Sequence, residues 1–526
     1  MESVAILLFA AAVAYGLAHV ARVPAIPLLL VSGVALTVWH PMPANLLEDT
    51  LVLGTTLLLF VTGMELGPNR TRSQRRTAGR VGLLQFFALG AVGFAASRLL
   101  GFGLIESSYI ALALTASSTL VVVRLLQRRR QLFEPFGRLV LGVLLLQDML
   151  VLLLVPIVTR LPQGIPNVMT GVAATLALGG IAWFTYHYAT PLIARLDQES
   201  EVLLLVLLGV LFTFIGLADA LALPLVTGAF LAGVALARFP LSGMVRVQMG
   251  SIAEFFSALF FIALGALIGI PSGPELMHAA ALTLVVLVVT PPLVTLIAER
   301  EGMSSRAAIE SGLLLSQTSE ISLVIGLFGY VADQISAEVF TVIALVTLLT
   351  MLLTPFITTP RVLWWLVRVR PVRSTPQRRR IDLMIPTEGH VLVLGSGSTG
   401  MPLLETLLSS GYDVLVIDDD PVVIQRLRDA DVPCLRGDAS DVALLRRAGA
   451  DRARIITSTI RRPRDNERLL ELAQGVTTLV RVFEEDDADW IRAMGGTPIL
   501  ASHAAADEML KWFDRKFAPA GAEQAG

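Results

Sequence analysis

The chain has 526 residues, of which 54% are hydrophobic and 16% charged, with a formal net charge of -2. That is too apolar and too sparsely charged for an ordinary soluble protein of this length. A single cysteine, Cys434, excludes an internal disulfide and a cysteine metal cluster. The six scattered histidines form no close-spaced pair, so no structural metal is expected.

Spanning a bilayer takes about 20 consecutive apolar residues. Such stretches lie near 3–21, 24–40, 48–67, 81–101, 105–126, 136–159, 167–190, 201–218, 222–238, 252–270, 277–298, 307–331 and 337–360, about thirteen in all. The first has no basic leader and no clear small-residue cleavage site, which predicts a retained membrane helix. Arginines then orient the chain. Arg70, Arg72, Arg75, Arg76 and Arg80 follow the third span; Arg128, Arg129, Arg130 and Arg138 follow the fifth; Arg361, Arg368, Arg370, Arg373, Arg378, Arg379 and Arg380 follow the last. With thirteen spans all three groups share one side, and the excess of basic residues makes that side cytoplasmic. The N-terminus is then outside a bacterial inner membrane, and whatever follows residue 360 is inside.

Three polar features interrupt the apolar pattern. Asp148 sits within Gly142–Val155, an otherwise apolar run apart from its neighbour Gln147. A carboxylate at that depth costs several kcal/mol, so it is paired structurally or it carries an ion. As an ion carrier it binds either a proton or a cation, and that competition couples the two; Gln147 beside it can offer a carbonyl oxygen. The second feature is Thr115-Ala-Ser117-Ser118-Thr119, in the middle of the fifth span. The third is Ser316-Gln317-Thr318-Ser319-Glu320, in the twelfth. Hydroxyl and amide clusters at that depth serve as interhelical hydrogen-bonding groups or line unwound helix segments. Two of them, in separate halves of the chain, predict a transporter with discontinuous helices meeting near the midplane. Glu65, at a span end, reads as snorkelling or structural, Asp219 and Asp333 as solvated, and Glu254 as open between roles.

Beyond residue 360 the character changes. A basic, proline-containing linker covers 361–386. A strand, His390–Leu394, leads into Gly395-Ser-Gly397-Ser398-Thr399-Gly400 and a helical pattern, then a second strand ending in Asp418-Asp419-Asp420. This is the order of a dinucleotide fold: the glycines let backbone approach phosphate at a helix N-terminus, and the strand-end acid bonds ribose hydroxyls. An aspartate at that place favours NAD(H), AMP, ATP or another nucleotide with a free 2'-hydroxyl over NADP. A third strand ends at Gly437-Asp438-Ala439, and a fourth covers Arg454–Thr457. The alternative for this unit is a Rossmann-like dimerisation module without ligand. The expected domains are 1–360 in the membrane, the linker 361–386, a nucleotide-binding domain 387–517 and a tail 518–526.

Several motifs together resemble one family. They are Phe60-x-x-Gly63-x-Glu65-Leu, Ala116-Ser117-Ser118-Thr119, Gly137-Arg138 followed by Gln147-Asp148, Phe260-Phe261-Ile-x-x-Gly265, Gln317-x-Ser319-Glu320, and the Gly395/Gly397/Gly400 turn with Gly437-Asp438-Ala439. Over nearly its whole length the chain resembles the monovalent cation:proton antiporter-2 family, Kef type, with a C-terminal TrkA-N/RCK domain. The resemblance implies an α-helical polytopic membrane protein of sodium/proton antiporter-like fold with inverted repeats, joined to an α/β Rossmann-like RCK domain. It implies a lipid-embedded homodimer with elevator-type exchange of K+ or Na+ for H+, and Asp148 as the ion site among Gln147, Ser117, Ser118, Thr119, Gln317, Ser319 and Glu320. Two departures stand out. Many relatives carry a lysine or arginine before the second broken helix, where this chain reads Val289-Thr290-Pro291-Pro292, and its only lysines are Lys511 and Lys516. Met244–Ser251 replaces the acidic loop of glutathione-gated members. The competing readings are a nucleotide-gated cation channel, for which no Thr-Val-Gly-Tyr-Gly filter occurs, and a membrane-tethered dehydrogenase, for which no hydride-transfer acid/base pair is evident. An enzyme and a nucleic-acid partner are not expected.

Overall fold

The computed structural model describes every residue except 1, 22–23, 41, 66–74, 130, 133–134, 191–199, 238–242, 269, 302, 304, 360–361, 364, 367–387, 398–399, 461–462 and 518–526. Most of the predicted linker, the tail, Ser398 and Thr399 therefore lie outside the described residues. The chain divides into two compact units, 1–301 with 307–372, and 302–306 with 373–526.

The first unit is helical. Its helices are α1 (Glu2–Ala21), α2 (Ala25–Trp39), α3 (Ala44–Glu65), α4 (Arg75–Leu99), α5 (Leu104–Thr115), α6 (Thr119–Arg128), α7 (Pro135–Val158), α8 (Ile165–Phe184), α9 (Ser200–Ala220), α10 (Leu225–Leu236), α11 (Gly243–Ile268), α12 (Gly273–Arg300), α13 (Ser305–Leu314), α14 (Glu320–Val331) and α15 (Ala337–Ile357). Among the described residues, ten helical stretches are long and apolar enough to cross a membrane; Ala25–Trp39, Leu225–Leu236 and Glu320–Val331 are apolar but shorter. Local chemistry sets several helix starts. Ser272 and Glu275 cap one another's backbone at the head of α12, and Ser336 Oγ accepts from Val339 N at the head of α15. Asp219 and Asp333 are exposed, and Glu254 pairs with Arg124 in an exposed contact at 3.4 Å.

Helices α2 and α11 touch backbone to backbone: a Cβ added to Gly33 would lie 2.1 Å from Ile262 O, and one added to Gly265 2.1 Å from Leu30 O. Helices α3 and α10 do the same through Gly63 and Gly233. In lipid the hydrophobic effect does not pull helices together, so close approach at small residues supplies the dispersion contact. The remaining central helices pack around α4, which contacts α5, α7 and α12; α14 in turn packs on α5 and α15.

The second unit is a six-stranded parallel sheet of order β3-β2-β1-β4-β5-β6. The strands are β1 (Val391–Leu394), β2 (Val414–Asp418), β3 (Cys434–Arg436), β4 (Ile455–Ser458), β5 (Thr478–Val482) and β6 (Thr497–Leu500). Between them run α16 (Gly400–Ser409), α17 (Pro421–Asp429), α18 (Val442–Arg447), α19 (Glu467–Leu472) and α20 (Glu485–Ala493), and α21 (Ala501–Phe517) follows the last strand. The central strands are apolar on both faces, as a doubly covered parallel sheet requires. Leu392, Leu394, Leu415 and Ile417 pack with Leu445 and Leu469; Val391, Val393, Val414 and Val416 pack with Leu404, Ile424 and Leu427.

Candidate functional site

In the fifth span the helix stops at Thr115. Ala116 is extended (φ -87, ψ 139), and helix resumes at Thr119 with Ser118 as its cap, its hydroxyl accepting from Val121 N at 3.3 Å. The interruption leaves backbone groups without helical partners, deep in an apolar bundle, where each must be satisfied by a side chain. Ser117 N–H donates to Gln147 Oε1 at 3.2 Å, and Ser117 Oγ donates to Leu315 O at 2.9 Å. Leu315 lies in the second interruption, between α13 and α14, so this one serine ties the two breaks together. Ser322 Oγ on α14 donates back to Ala113 O on α5.

Asp148, on α7, is 1% exposed. Its Oδ2 accepts from Thr119 Oγ1 at 3.0 Å. Thr119 is the first residue of α6, so the carboxylate stands beside a helix N-terminus, where unsatisfied N–H groups favour negative charge. The second break has its own hydroxyl partners: Thr318 N donates to Thr350 Oγ1, and Thr318 Oγ1 lies 3.1 Å from both Thr347 Oγ1 and Thr350 Oγ1 on α15. Ser319 caps α14 by accepting from Ile321 N, and Glu320 opens that helix, 6% exposed. Gln317 is buried, and its Nε2 donates to Leu314 O at 3.5 Å.

The structure thus brings Ser117 and Thr119 of the first break onto the adjacent Gln147 and Asp148 of α7 in two hydrogen-bonded pairs, with Ser118 as the cap between them. Gln317, Ser319 and Glu320 belong to the adjoining break, joined to Ser117 through Leu315. The carbonyl oxygen of Gln147, which the sequence offers as a cation ligand, is engaged by the Ser117 amide. Four buried residues escaped the sequence reading. Gln85 on α4 receives a hydrogen bond from Gln147, Thr347 and Thr350 serve the second break, and Glu310 on α13 pairs with Arg129, the C-cap of α6, at 3.7 Å. The signal for Gln85 and Glu310 was present in both cases: a lone polar group within or beside an apolar stretch.

In the second unit, the loops after β1, β2, β3 and β4 line the carboxyl edge of the sheet. Strand order reverses between β1 and β4, which is where such folds form a ligand crevice. Gly395 adopts φ +78, a conformation that favours glycine, and a Cβ on Gly400 would fall 2.2 Å from Gly395 O. Asp418 Oδ2 accepts from Ser396 N at 2.7 Å and Oδ1 from Asp420 N at 2.8 Å. Burial pushes the Asp418 carboxyl above its usual range, and the donated amides pull it partly back. Asp419 is exposed, Asp438 accepts from Ser440 N and Oγ, and Gly437 and Ala439 flank it at the end of β3. Gly395, Gly397, Gly400, Asp418 and Asp438 therefore share one edge of the sheet.

A bundle of apolar helices in which two interrupted helices meet beside a buried carboxylate defines a secondary transporter with discontinuous helices. Residues 5–364 match the transmembrane sodium/hydrogen exchanger family, and residues 391–502 match the TrkA-N domain. The glutathione-regulated potassium-efflux system protein KefC of Enterobacter sp. (strain 638) is 30% identical over 433 residues, covering 80% of this chain and 68% of the relative. KefC of Salmonella typhi is 29% identical over the same shares. Among solved structures, the sodium proton antiporter MjNhaP1 from Methanocaldococcus jannaschii superposes with a TM-score of 0.56 at 15% identity, covering 68% of this chain and 97% of that one, a likeness of fold. The chain belongs to the sodium/hydrogen exchanger family, Kef type, with a C-terminal TrkA-N domain.

Proposed function

We propose that the chain is an electroneutral K+ or Na+:proton antiporter of the bacterial inner membrane, working as a homodimer, with Asp148 as the group for which proton and cation compete. The observation that carries this reading is the buried Thr119–Asp148 hydrogen bond at the point where two helix breaks meet. One carboxylate exchanges one proton for one monovalent cation, so no net charge crosses. Thr119 Oγ1 and the backbone of the two breaks are the oxygens at hand to share a dehydrated cation. The glycine-packed pairs α2–α11 and α3–α10 form the static scaffold, and α4–α7 with α12–α15 move as the elevator. The TrkA-N domain binds an adenine nucleotide along the Gly395–Gly400 turn and Asp418, and biases the dimer between active and resting states.

Reconstituted in proteoliposomes, the protein should collapse a preset pH gradient on addition of K+ or Na+, saturably and without a membrane potential. Single-channel currents in place of saturable exchange would instead support a nucleotide-gated channel. Thr119→Val should raise the apparent KM for the cation about tenfold, the loss expected for one hydrogen bond to a charged group. An unchanged KM in exchange assays would remove Thr119 from the site.

A further inference from the structure

We infer that Gln85 is a positioning residue of the ion site: through Gln147 it fixes the geometry of the first helix break. This rests on the antiporter reading of Asp148.

Ser117 N–H is a backbone donor, 1% exposed, in a segment where no helical carbonyl receives it. The atom of Gln147 that faces it must therefore be oxygen, and Oε1 stands at 3.2 Å. That choice turns Nε2 of Gln147 the other way, where it needs an acceptor, and it donates to Gln85 Oε1 at 2.5 Å. Both glutamines are 0% exposed. The backbone N–H thus dictates the orientation of two amides in series, and neither can flip without placing donor against donor. Gln85 comes from α4, Gln147 from α7 and Ser117 from the α5–α6 break, so the relay locks three elements. Its last member faces α7 one residue before Asp148.

The far end of the relay is a donor. Gln85 Nε2 is buried and finds no acceptor among the described residues. An N–H donor does not ligate a cation. Gln85 therefore acts by orienting Gln147, not by touching the cation.

The test is a double-mutant cycle on purified protein in proteoliposomes, with cation KM, maximal rate and pH profile measured together. Gln85→Leu should raise the cation KM about tenfold, the loss expected for one buried hydrogen bond and its stranded partner, with a smaller change in maximal rate. Gln85→Glu, which keeps an acceptor oxygen toward Gln147, should recover most of the KM and shift the pH profile. Gln85→Leu combined with Gln147→Leu should be no worse than Gln147→Leu alone. Additive losses, or a Gln85→Leu protein with wild-type KM, would overturn the inference while leaving the antiporter reading intact. Loss of exchange in Asp148→Asn alongside normal Gln85→Leu behaviour separates the two outcomes. Should Gln85→Leu fail to fold, Gln85→Glu and its double mutant with Gln147→Leu decide the same question.

Discussion

Asp148→Asn is expected to abolish cation-dependent proton exchange while leaving the protein folded. Asparagine has nearly the shape of aspartate, and its Oδ1 can still accept from Thr119 Oγ1, so the hydrogen bond seen at 3.0 Å survives the change. What disappears is the charge and the titratable proton. A unit cation against a carboxylate at about 4 Å, with an effective dielectric constant of about 20, gains about 4 kcal/mol, on the order of a thousandfold in affinity. No other group in the Ser117–Thr119–Gln147 cluster carries charge, so nothing there replaces it. The measurement is pH-gradient collapse in proteoliposomes across a range of K+ and Na+, with size-exclusion behaviour as the check on folding. Retained saturable exchange at wild-type KM would move the transport site elsewhere.

The contrast with the milder substitutions is informative. Thr119→Val and Gln85→Leu each remove one hydrogen bond and leave the carboxylate in place, so they should change how well the cation is held before they change whether it is carried. Among Ser117, Thr119, Gln147 and Asp148, the aspartate alone carries a carboxylate that can be protonated or can face a cation.

How much of this was legible in the sequence depends on how loudly each residue breaks its local pattern. Asp148 and the clusters at 115–119 and 316–320 violate an apolar run, and the structure interrupts helices at both clusters. Gln85 breaks the same rule, but it is one neutral amide in a 25-residue helix, and its partner lies 62 positions away. Its meaning is tertiary. Thr347 and Thr350 are quieter still, because threonine hides in an apolar helix by bonding its own preceding turn, as both do here. In the TrkA-N domain β1 and β2 announce themselves by apolar runs closed with glycine or acid, β3 by the Gly437-Asp438 that follows it, and β4 by the pair Ile455-Ile456. Strand β5 alternates buried and half-buried residues, and β6 carries Pro498 with an exposed pattern, both signatures that a search for apolar runs passes over. Pro498 is tolerated because β6 pairs only with β5 and forms the edge of the sheet.

Gly400→Val is expected to eliminate nucleotide binding by the TrkA-N domain, and with it any nucleotide response of exchange, without removing exchange itself. A Cβ at position 400 would meet Gly395 O at 2.2 Å and its carbonyl carbon at 3.0 Å, and both are backbone. Gly395 cannot move aside: it sits at φ +78, and its carbonyl also receives Thr459 Oγ1 at 2.7 Å from the loop after β4. Valine at 400 must therefore pull the turn off the helix start, break the bond from Ser396 N to Asp418, and disperse the N–H groups that would face a phosphate at the head of α16. Gly397→Ala is the control, since its added Cβ meets nothing within 4 Å. It leaves the turn intact and reduces affinity only to the extent that phosphate comes close to that backbone. Titration calorimetry with NAD(H), AMP and ATP, run beside exchange assays with and without nucleotide, reads both effects. Nucleotide affinity unchanged in Gly400→Val would place the binding site away from this turn, whereas exchange lost in the absence of nucleotide would mean that the domain's fold, rather than its ligand, sustains transport.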